Sequence, residues 1–598
     1  LQAATAALGA IRREWEALSP SGTNAAGEFV VQALVQRDDE VRASLRACPF
    51  GDPAETTTIH QQRCSDPVVT AHCEATEEII RTDLARSEWE VSYAKAQPSL
   101  PNEFNHTSYL VSQAMNRLRL FDVEGGYAKL QEAASAGGAD PRLEMLTRYT
   151  AQLLGPRHPA MMDGQDLGLG SRAETLLSHL RSVLLRNKYT TNMIMAATKA
   201  QSLSQLIFLD SRADPLEQAL LDSVEEKNPM KPKENRLEVP VDLVDLVRIF
   251  LLHRVLPLAR LCQLLGPECL QLLLRLRVVQ ALDGDSCRLV DPEAAAAAVE
   301  ASSMCCGAFF VVSNVSIWPC EEDLLVATDF EQTFSSADLE PVMYLSEDSL
   351  ALVSGAPRNK VGSVLDICTG SGVQALIALR YYADVATCVD LNPRALRFTR
   401  FNMALNGMTQ RVAGLHHGSV YEPLPAGAGP YDAIVANPPF VPNPGNIASG
   451  GGAMFGNGGD TGERVFSAIV EGAPQKLRPG GSLALVAMTP NVDQLPDRVT
   501  EWYTRGAGNP SAGFEAVVFR GTPTPAEQYL PTSSSAETHR YKAAVRDMGV
   551  TTMSESLTII TAGGPGPKAT IAGEPRHELW ADHNFLKMVV QKATPSVA

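Results

Sequence analysis

Residues 361–379 read VGSVLDICTGSGVQALIAL, residues 389–407 read VDLNPRALRFTRFNMALNG, and residues 431–440 read YDAIVANPPF. The first run opens as a buried strand over 361–367. A glycine-bearing turn follows at 368–372, then an apolar helix over 373–380. A second strand, 385–389, ends on Asp390. Strand, loop, helix and strand in that order predict a nucleotide-binding α/β unit. Gly370 and Gly372 lack a Cβ, so the backbone can turn sharply and lie close to a ligand. The helix that follows begins with free N–H groups. Asp390 stands where a carboxylate can accept hydrogen bonds from ribose hydroxyls.

Asn437, Pro438, Pro439 and Phe440 follow an apolar strand, so they sit at its carboxyl end, where open α/β sheets bind ligands. Two prolines stiffen the backbone and remove two N–H donors. The turn that remains is rich in acceptors: the Asn437 amide oxygen and nearby carbonyls. Such a turn can grip an –NH₂ group by its hydrogens and aim its lone pair. Phe440 can stack on a planar acceptor.

DICTGSG, VDLNPRAL and NPPF together resemble the class I S-adenosylmethionine-dependent methyltransferases with an NPP(Y/F) motif. The nearest group is the HemK-like glutamine methyltransferases, which modify release factors or a ribosomal protein; related enzymes methylate exocyclic amines of adenine or guanine. The resemblance covers about residues 345–561. It implies a Rossmann-like α/β domain with a mostly parallel seven-stranded sheet. It implies S-adenosyl-L-methionine as cofactor and S-adenosyl-L-homocysteine as product. Asp366, Gly370 and Gly372 would line the methionine end and Asp390 would bind the ribose. Cys368, Thr369, Leu391, Ser419 and Val420 would complete the cofactor contacts, and Asn437, with Pro438 and Phe440, would orient the acceptor. Two positions depart from the usual pattern. Cys368 stands in place of a first glycine, and Ser419 replaces the Asp that often contacts the adenine amine.

The 598-residue chain is long enough for two to four domains, with 45% hydrophobic and 20% charged residues, as in ordinary globular proteins. A formal net charge of −17 and the lack of a dense Lys/Arg run disfavour a nucleic acid partner. The 11 cysteines include no CxxC pair. They predict reduced thiols, hence a cytoplasmic setting, and no metal site. The apolar region 249–276 is interrupted by His253, Arg254, Pro257, Arg260 and Pro267, so core helices are expected rather than a membrane span. Because the row begins at Leu1, a trimmed targeting segment stays open.

Three domains are expected: a helical accessory region over 1–165, a substrate-side region over 171–340, and the methyltransferase-like domain over 341–598. Helical spacing predicts helices at 3–18, 26–45, 68–96, 107–121 and 127–136. Residues 241–290 resemble a winged helix, with helices at 241–253, 258–265 and 268–279 and a hairpin turn at Asp283 and Gly284. Arg275 and Arg277 make a thin basic face that Asp242, Asp245 and Glu268 offset. A module packed on the catalytic domain is therefore favoured over a DNA reader. Residues 181–290 also resemble the N-terminal module of some bacterial two-part methyltransferases. Strands are expected at 309–317 and 324–327. Tyr344, Ser346 and Asp348 are candidates to close over the site. The glycine- and asparagine-rich stretch 441–460 reads as a lid, and Asp460 with Glu463 as a helix cap box.

The predicted function is methyl transfer to an amide or amine nitrogen of a protein or small molecule. Alternatives are S-methylation of a thioether to a sulfonium (as in dimethylsulfoniopropionate synthesis), methylation of a nucleic acid amine, and a non-catalytic scaffold that keeps the cofactor fold. The intact set Asp366, Gly370, Gly372, Asp390 and Asn437 argues against the scaffold.

Overall fold

The computed structural model describes residues 2–17, 106–119, 123–135, 170–200, 239–283, 290–300, 309–321, 323–330, 341–444, 454–529 and 536–593, with single positions in 78–88 and 216–223. The chain divides into two compact units, Leu1–Pro156 with Asp285–Leu289, and Arg157–Gly284 with Val290–Ala598.

In the first unit, α1 (Gln2–Ala17), α2 (His106–Arg119) and α3 (Val123–Ser135) are helices. Leu110, Val111 and Ala114 of α2 close on Leu130 and Ala133 of α3. The helix expected at 26–45 and most of that at 68–96 lie outside the described residues.

The second unit begins with α4 (Ser171–Arg186) and α5 (Thr191–Thr198), joined by a turn in which Lys188 has a positive φ. Next come α6 (Val241–Phe250), β1 (Leu256–Pro257), α7 (Leu258–Leu265), α8 (Pro267–Arg275), β2 (Val279–Asp283), α9 (Pro292–Glu300) and β3 (Phe309–Ser313). The three short strands form an antiparallel sheet in the order β1-β3-β2. The turn and second arm of the hairpin expected at Asp283 and Gly284, residues 284–289, lie outside the described residues. Among those described, β2 pairs with β3, and Val290 N–H donates to Ala281 O (2.9 Å). Four arginines of this module are engaged, Arg254 through Glu217. Arg260 pairs with Asp242 and Asp245, Arg248 with Glu217 and Asp245, and Arg275 with Glu293.

The strand expected at 309–317 breaks at Asn314. Its N–H goes to Val278 O (2.9 Å) and its side chain to Arg277 O (2.7 Å), which turns the chain out of the first sheet. β4 (Val315–Cys320) then pairs with β5 (Leu324–Asp329) as a separate hairpin.

The rest is α10 (Glu347–Gly355), β6 (Val361–Ile367), α11 (Val373–Tyr381), β7 (Ala383–Asp390), α12 (Pro393–Leu405), β8 (Val412–His417), β9 (Tyr431–Ala436), α13 (Arg464–Lys476), β10 (Leu477–Pro490), α14 (Leu495–Ala507), β11 (Phe514–Arg520), β12 (Thr524–Pro525), α15 (Ala526–Tyr529), α16 (Ala536–Asp547), β13 (Thr552–Ala562), β14 (Pro567–Ile571) and α17 (His583–Ala593). The sheet runs β8-β7-β6-β9-β10-β13-β11, with β13 antiparallel to both neighbours and the other five strands of that order, from β8 to β10, parallel. These are the seven strands expected. Two short ones extend them: β14 beyond β11, and β12 beside β13. Phe398 and Phe401 of α12 belong to the core on one face, and Phe466 of α13 and Trp502 of α14 to the core on the other.

Helix α12 also docks the β4–β5 hairpin. Asn402 accepts from Ala327 N–H (2.8 Å) and donates to Ala327 O (2.9 Å). One turn on, Asn406 does the same for Leu325, at 3.0 and 2.7 Å. A four-residue helical step spans about the same distance as two strand residues, so both carboxamides fit one strand edge and cap its unpaired groups. The buried Arg394 adds a two-pronged pair to Asp329, at 2.6 and 3.1 Å. Because of these contacts, α4 to β5 share one continuous core with the larger sheet.

The cap box expected at Asp460 and Glu463 is not formed. Glu463 is the residue before α13 but makes no cap bond, and its carboxylate takes Arg498 instead, at 2.9 and 3.0 Å. A strong cation within reach outcompetes a backbone N–H for the same oxygens.

Candidate active site

Three neighbouring parallel strands end level with one another. Ile367 of β6 pairs with Val389 of β7 on one side and with Ala436 of β9 on the other. The loop 368–372, Asp390 and Asn437 therefore emerge side by side at one edge of the sheet. On either side of β6 the crossovers run in opposite directions, which opens a crevice at that edge.

The loop is held in an unusual shape. Cys368, Gly370 and Gly372 all have positive φ (57°, 55° and 80°). At Gly370 a Cβ would meet nothing within 4 Å, whereas at Gly372 it would press on Thr399 at 2.8 Å. Gly370 thus faces open space and Gly372 faces packed helix. Thr399 Oγ1 donates to Gly370 O (3.1 Å), and Asn402 Nδ2 donates to Ser371 O (2.8 Å). The same helix that grips the β4–β5 hairpin thereby fixes the loop.

Two carboxylates stand at its base. Asp366 is fully buried, and one oxygen accepts from Thr369 Oγ1 (2.7 Å) and Ala375 N–H (3.0 Å). Its other oxygen, Oδ1, is buried with no hydrogen-bond partner among the described residues. Burial, with a lesser push from Asp390, raises its carboxyl to about 7. Asp390 accepts from Gly370 N–H (2.8 Å) and Asn392 N–H (2.8 Å), one bond to each oxygen, which leaves lone pairs for further donors. Burial shifts it upward as well. The next residue, Leu391, is 51% exposed, an apolar surface beside a carboxylate. Gly418 N–H donates to Asp390 O (2.9 Å), which brings Ser419 and Val420 to the same edge; Val420 has φ 48°, unusual for a β-branched residue.

These features fit a sulfonium nucleoside. The orphaned Asp366 oxygen suits an ammonium group, Gly370 leaves room for a backbone-hugging ligand, and exposed Leu391 offers a base a flat apolar contact.

Asn437 is half-buried. Its Nδ2 donates to Asp348 Oδ2 (3.0 Å) and Ser349 Oγ (3.3 Å). The opposite amide orientation would set oxygen against carboxylate, so the network assigns Oδ1 to the free side. Asp348 is buried at the start of α10. Its other oxygen takes Ser349 N–H (2.8 Å) and Ser346 Oγ. Burial pushes its carboxyl up, and the Asn437 bond pulls it back. Ser349 O accepts from Gln374 of α11 (2.9 Å), so α10 is tied to the cofactor-side helix. Asp348 and Ser346 were candidates from sequence; Ser349 and Gln374 were not, for their roles depend on a contact across many residues. Pro438 is buried and Phe440 half-buried, its ring 5.9 Å from that of Trp580. Sequence gave no sign of Trp580, which arrives from the C-terminal segment.

The lid expectation at 441–460 falls largely on residues outside the description. Its described ends are bonded together: Val441 N–H to Gly456 O (2.8 Å), Gly458 N–H to Val441 O (2.9 Å) and Asn443 N–H to Gly459 O (2.7 Å).

Strand order and crevice define a Rossmann-like domain of the class I methyltransferase type. Comparison with known proteins places it further. Residues 345–494 match the family described as the methyltransferase small domain. Over 94 residues the chain is 43% identical to a ribosomal protein uL3 glutamine methyltransferase of Burkholderia pseudomallei, covering 15% of this chain and 30% of that one. It is 31% identical over 165 residues to a release factor glutamine methyltransferase of Gloeobacter violaceus, covering 26% and 57%. It is 31% identical over 155 residues to a tRNA1(Val) (adenine(37)-N6)-methyltransferase of Aeromonas salmonicida, covering 26% and 63%. The chain thus spans from under a third to under two thirds of these relatives, each of which is named a methyltransferase. Among the described residues no helix is long and apolar enough to cross a membrane.

Proposed function

We propose that the protein transfers a methyl group from S-adenosyl-L-methionine to an amide or amine nitrogen of a protein or small-molecule acceptor held by Asn437. The observation that carries this is the Asn437 carboxamide, clamped through its nitrogen by Asp348 and Ser349 so that its oxygen is left to accept. Asp366, Thr369, Gly370 and Gly372 would hold the methionine end, Asp390 the ribose, and Leu391, Ser419 and Val420 the base. Cys368 shapes the turn between them.

The cofactor supplies a methyl carbon on a positive sulfur, already a strong electrophile. What the chain must add is alignment and a dry site. An amide nitrogen is a poor nucleophile because its lone pair is delocalised. Hydrogen bonds from its N–H groups to Asn437 Oδ1 and the Pro438 carbonyl localise that pair and accept charge as it develops. The prolines bring no N–H that would compete as donors. A thioether has no hydrogen for Asn437 to grip, which places sulfur second. The net charge of −17 and the pairing of Arg248, Arg254, Arg260 and Arg275 with carboxylates weigh against nucleic acid, although one relative's name is that of a tRNA enzyme.

Calorimetry with S-adenosyl-L-methionine, followed by a screen of glutamine peptides, tRNA and small thioethers with labelled cofactor, tests the reading. Absence of binding at millimolar cofactor would leave only a scaffold.

A further inference from the structure

In an antiparallel pair, alternate residues turn their backbone N–H and C=O groups outward. In the β4–β5 pair these are Ile317 and Pro319 on one edge and Ala327 and Leu325 on the other; Ile317 stands opposite Ala327, and Pro319 opposite Leu325. A two-stranded pair is marginally stable alone, so its outer edges need partners. Both edges find them. The fully buried Tyr189, in the turn between α4 and α5, donates its hydroxyl to Ile317 O (2.8 Å), and Thr191 Oγ1 donates to Pro319 O (3.0 Å). On the far edge, Asn402 and Asn406 of α12 take up Ala327 and Leu325.

Asn402 does one thing more. A carboxamide has two hydrogens and an acceptor oxygen, all in one plane. Ala327 N–H occupies the oxygen (2.8 Å) and Ala327 O takes one hydrogen (2.9 Å), which fixes that plane. The second hydrogen has one direction left, and it meets Ser371 O at 2.8 Å. Ser371 lies between Gly370 and Gly372, both at positive φ, where the backbone is pliable and gains from an outside tether. Asn402 is fully buried, so breaking one of its bonds leaves a polar group without water to replace the partner. Asn406 differs in this respect. It spends its hydrogens on Leu325 O (2.7 Å) and on Asn402 O of its own helix (2.8 Å). One row of contacts thus runs from Tyr189 across Ile317 and Ala327 to Asn402 and the glycine turn, and the neighbouring row stops at Asn406.

We propose that Asn402 is a positioning residue for the cofactor and couples the docking of β5 to the shape of the glycine turn. Docked β5 orients the carboxamide that holds Ser371 O. A ligand that binds the held turn therefore stabilises the docked strand by the same amount. The proposal rests on the S-adenosyl-L-methionine reading above and adds a residue outside the crevice that sets cofactor affinity.

The test uses the full chain with S-adenosylhomocysteine as probe, and its first arm needs no variant. A ligand that binds only the docked form slows opening in proportion to its excess over Kd. At about a hundredfold excess, amide hydrogen exchange in β5, read by mass spectrometry, should slow by about tenfold or more. Amides of α14, in the core on the other face of the sheet, should slow clearly less. The second arm compares Asn402→Ser with Asn406→Ser by calorimetry. Each loses two bonds to β5, and both should lower the melting temperature. Asn402→Ser should weaken S-adenosylhomocysteine binding by about tenfold, the worth of one buried hydrogen bond, and Asn406→Ser by less than about twofold. Equal slowing in β5 and α14 would mean that the ligand only resists global unfolding, and it overturns the proposal. So does equal affinity loss in the two variants, or wild-type affinity in Asn402→Ser. In those cases the wild type still binds and the methyltransferase reading stands; if the wild type does not bind S-adenosylhomocysteine, both fall together.

Discussion

The two halves of the crevice are assembled in opposite ways. The proposed cofactor half is nearly contiguous: Asp366 to Gly372, Asp390, Leu391, Ser419 and Val420 fall within 55 consecutive positions, 366–420. The proposed acceptor half draws Asp348 from before β6, Asn437 and Phe440 from the end of β9, Tyr541, whose hydroxyl donates to Pro442 O, from the segment between β11 and β13, and Trp580 from the C-terminal segment. A ligand common to many enzymes can be met by local turns on one rigid scaffold. An acceptor peculiar to one enzyme is met by whatever later segments fold across the mouth. Changes on the two sides should therefore separate, with cofactor affinity moving on one and turnover on the other.

The sharpest cut is Asn437→Ala. Losing one preorganised polar group should lower single-turnover rate by about 10²–10³-fold. Cofactor affinity by calorimetry should change little. Equal losses in both would erase the division between the halves.

Asp366 should break the other side. Its carboxyl, raised to about 7, is ionised above that pH and protonated below it. An ammonium prefers the ionised form, so cofactor affinity should fall as pH drops from 8 to 6, and Asp366→Asn should bind about 10–100-fold more weakly with no such slope. Stability of the cofactor-free protein runs the other way. A carboxyl whose folded value lies above its unfolded value of about 3.9 stabilises fully below that value and loses its contribution as pH rises through 7. Asp366→Asn should then melt higher than wild type at pH 8.

Asp348→Asn tests positioning across the crevice. Its amide cannot guarantee an acceptor for Asn437 Nδ2, so the carboxamide should lose its fixed orientation. Turnover should fall by about tenfold, the worth of one charged hydrogen bond, with cofactor affinity retained. A fall in affinity alone would move Asp348 to the cofactor half.

Cys368→Gly should have the smallest effect. At φ 57° a side chain costs about 1–2 kcal/mol, and removing the thiol loses a comparable amount of partly buried contact. Chemical denaturation should show a change within about 1 kcal/mol. A loss beyond about 2 kcal/mol would mean the thiol makes a contact of its own. Burial also pushes that thiol well above its ordinary range, so alkylation at neutral pH should be slow.

Much of this was legible beforehand. The glycine turn announced itself because sharp backbone geometry restricts residue type, and the structure returns positive φ at three of its five positions. Thr399 and Asn402, on the inner side of α12 among Phe398, Phe401 and Leu405, were missed although a signal existed: short polar residues on a buried helix face need partners. The cap box failed for a different reason. The spacing of Asp460 and Glu463 was right, but Arg498 from another helix took the carboxylate. Tyr541 and Trp580 carried no local pattern at all.

Local sequence alone determined the strand–turn–helix unit, the acid at the second strand end and the stiff NPPF turn, because each depends on steric limits within a few residues. Tertiary structure alone decided which way the Asn437 amide points, which carboxylate keeps an unpaired oxygen, and which aromatic side chains reach the NPPF turn. Those outcomes depend on contacts between residues that lie 89 apart, as for Asn437 and Asp348, or 99 apart, as for Tyr541 and Pro442. Contacts at that separation are set by how the layers pack, and no short window of sequence records them.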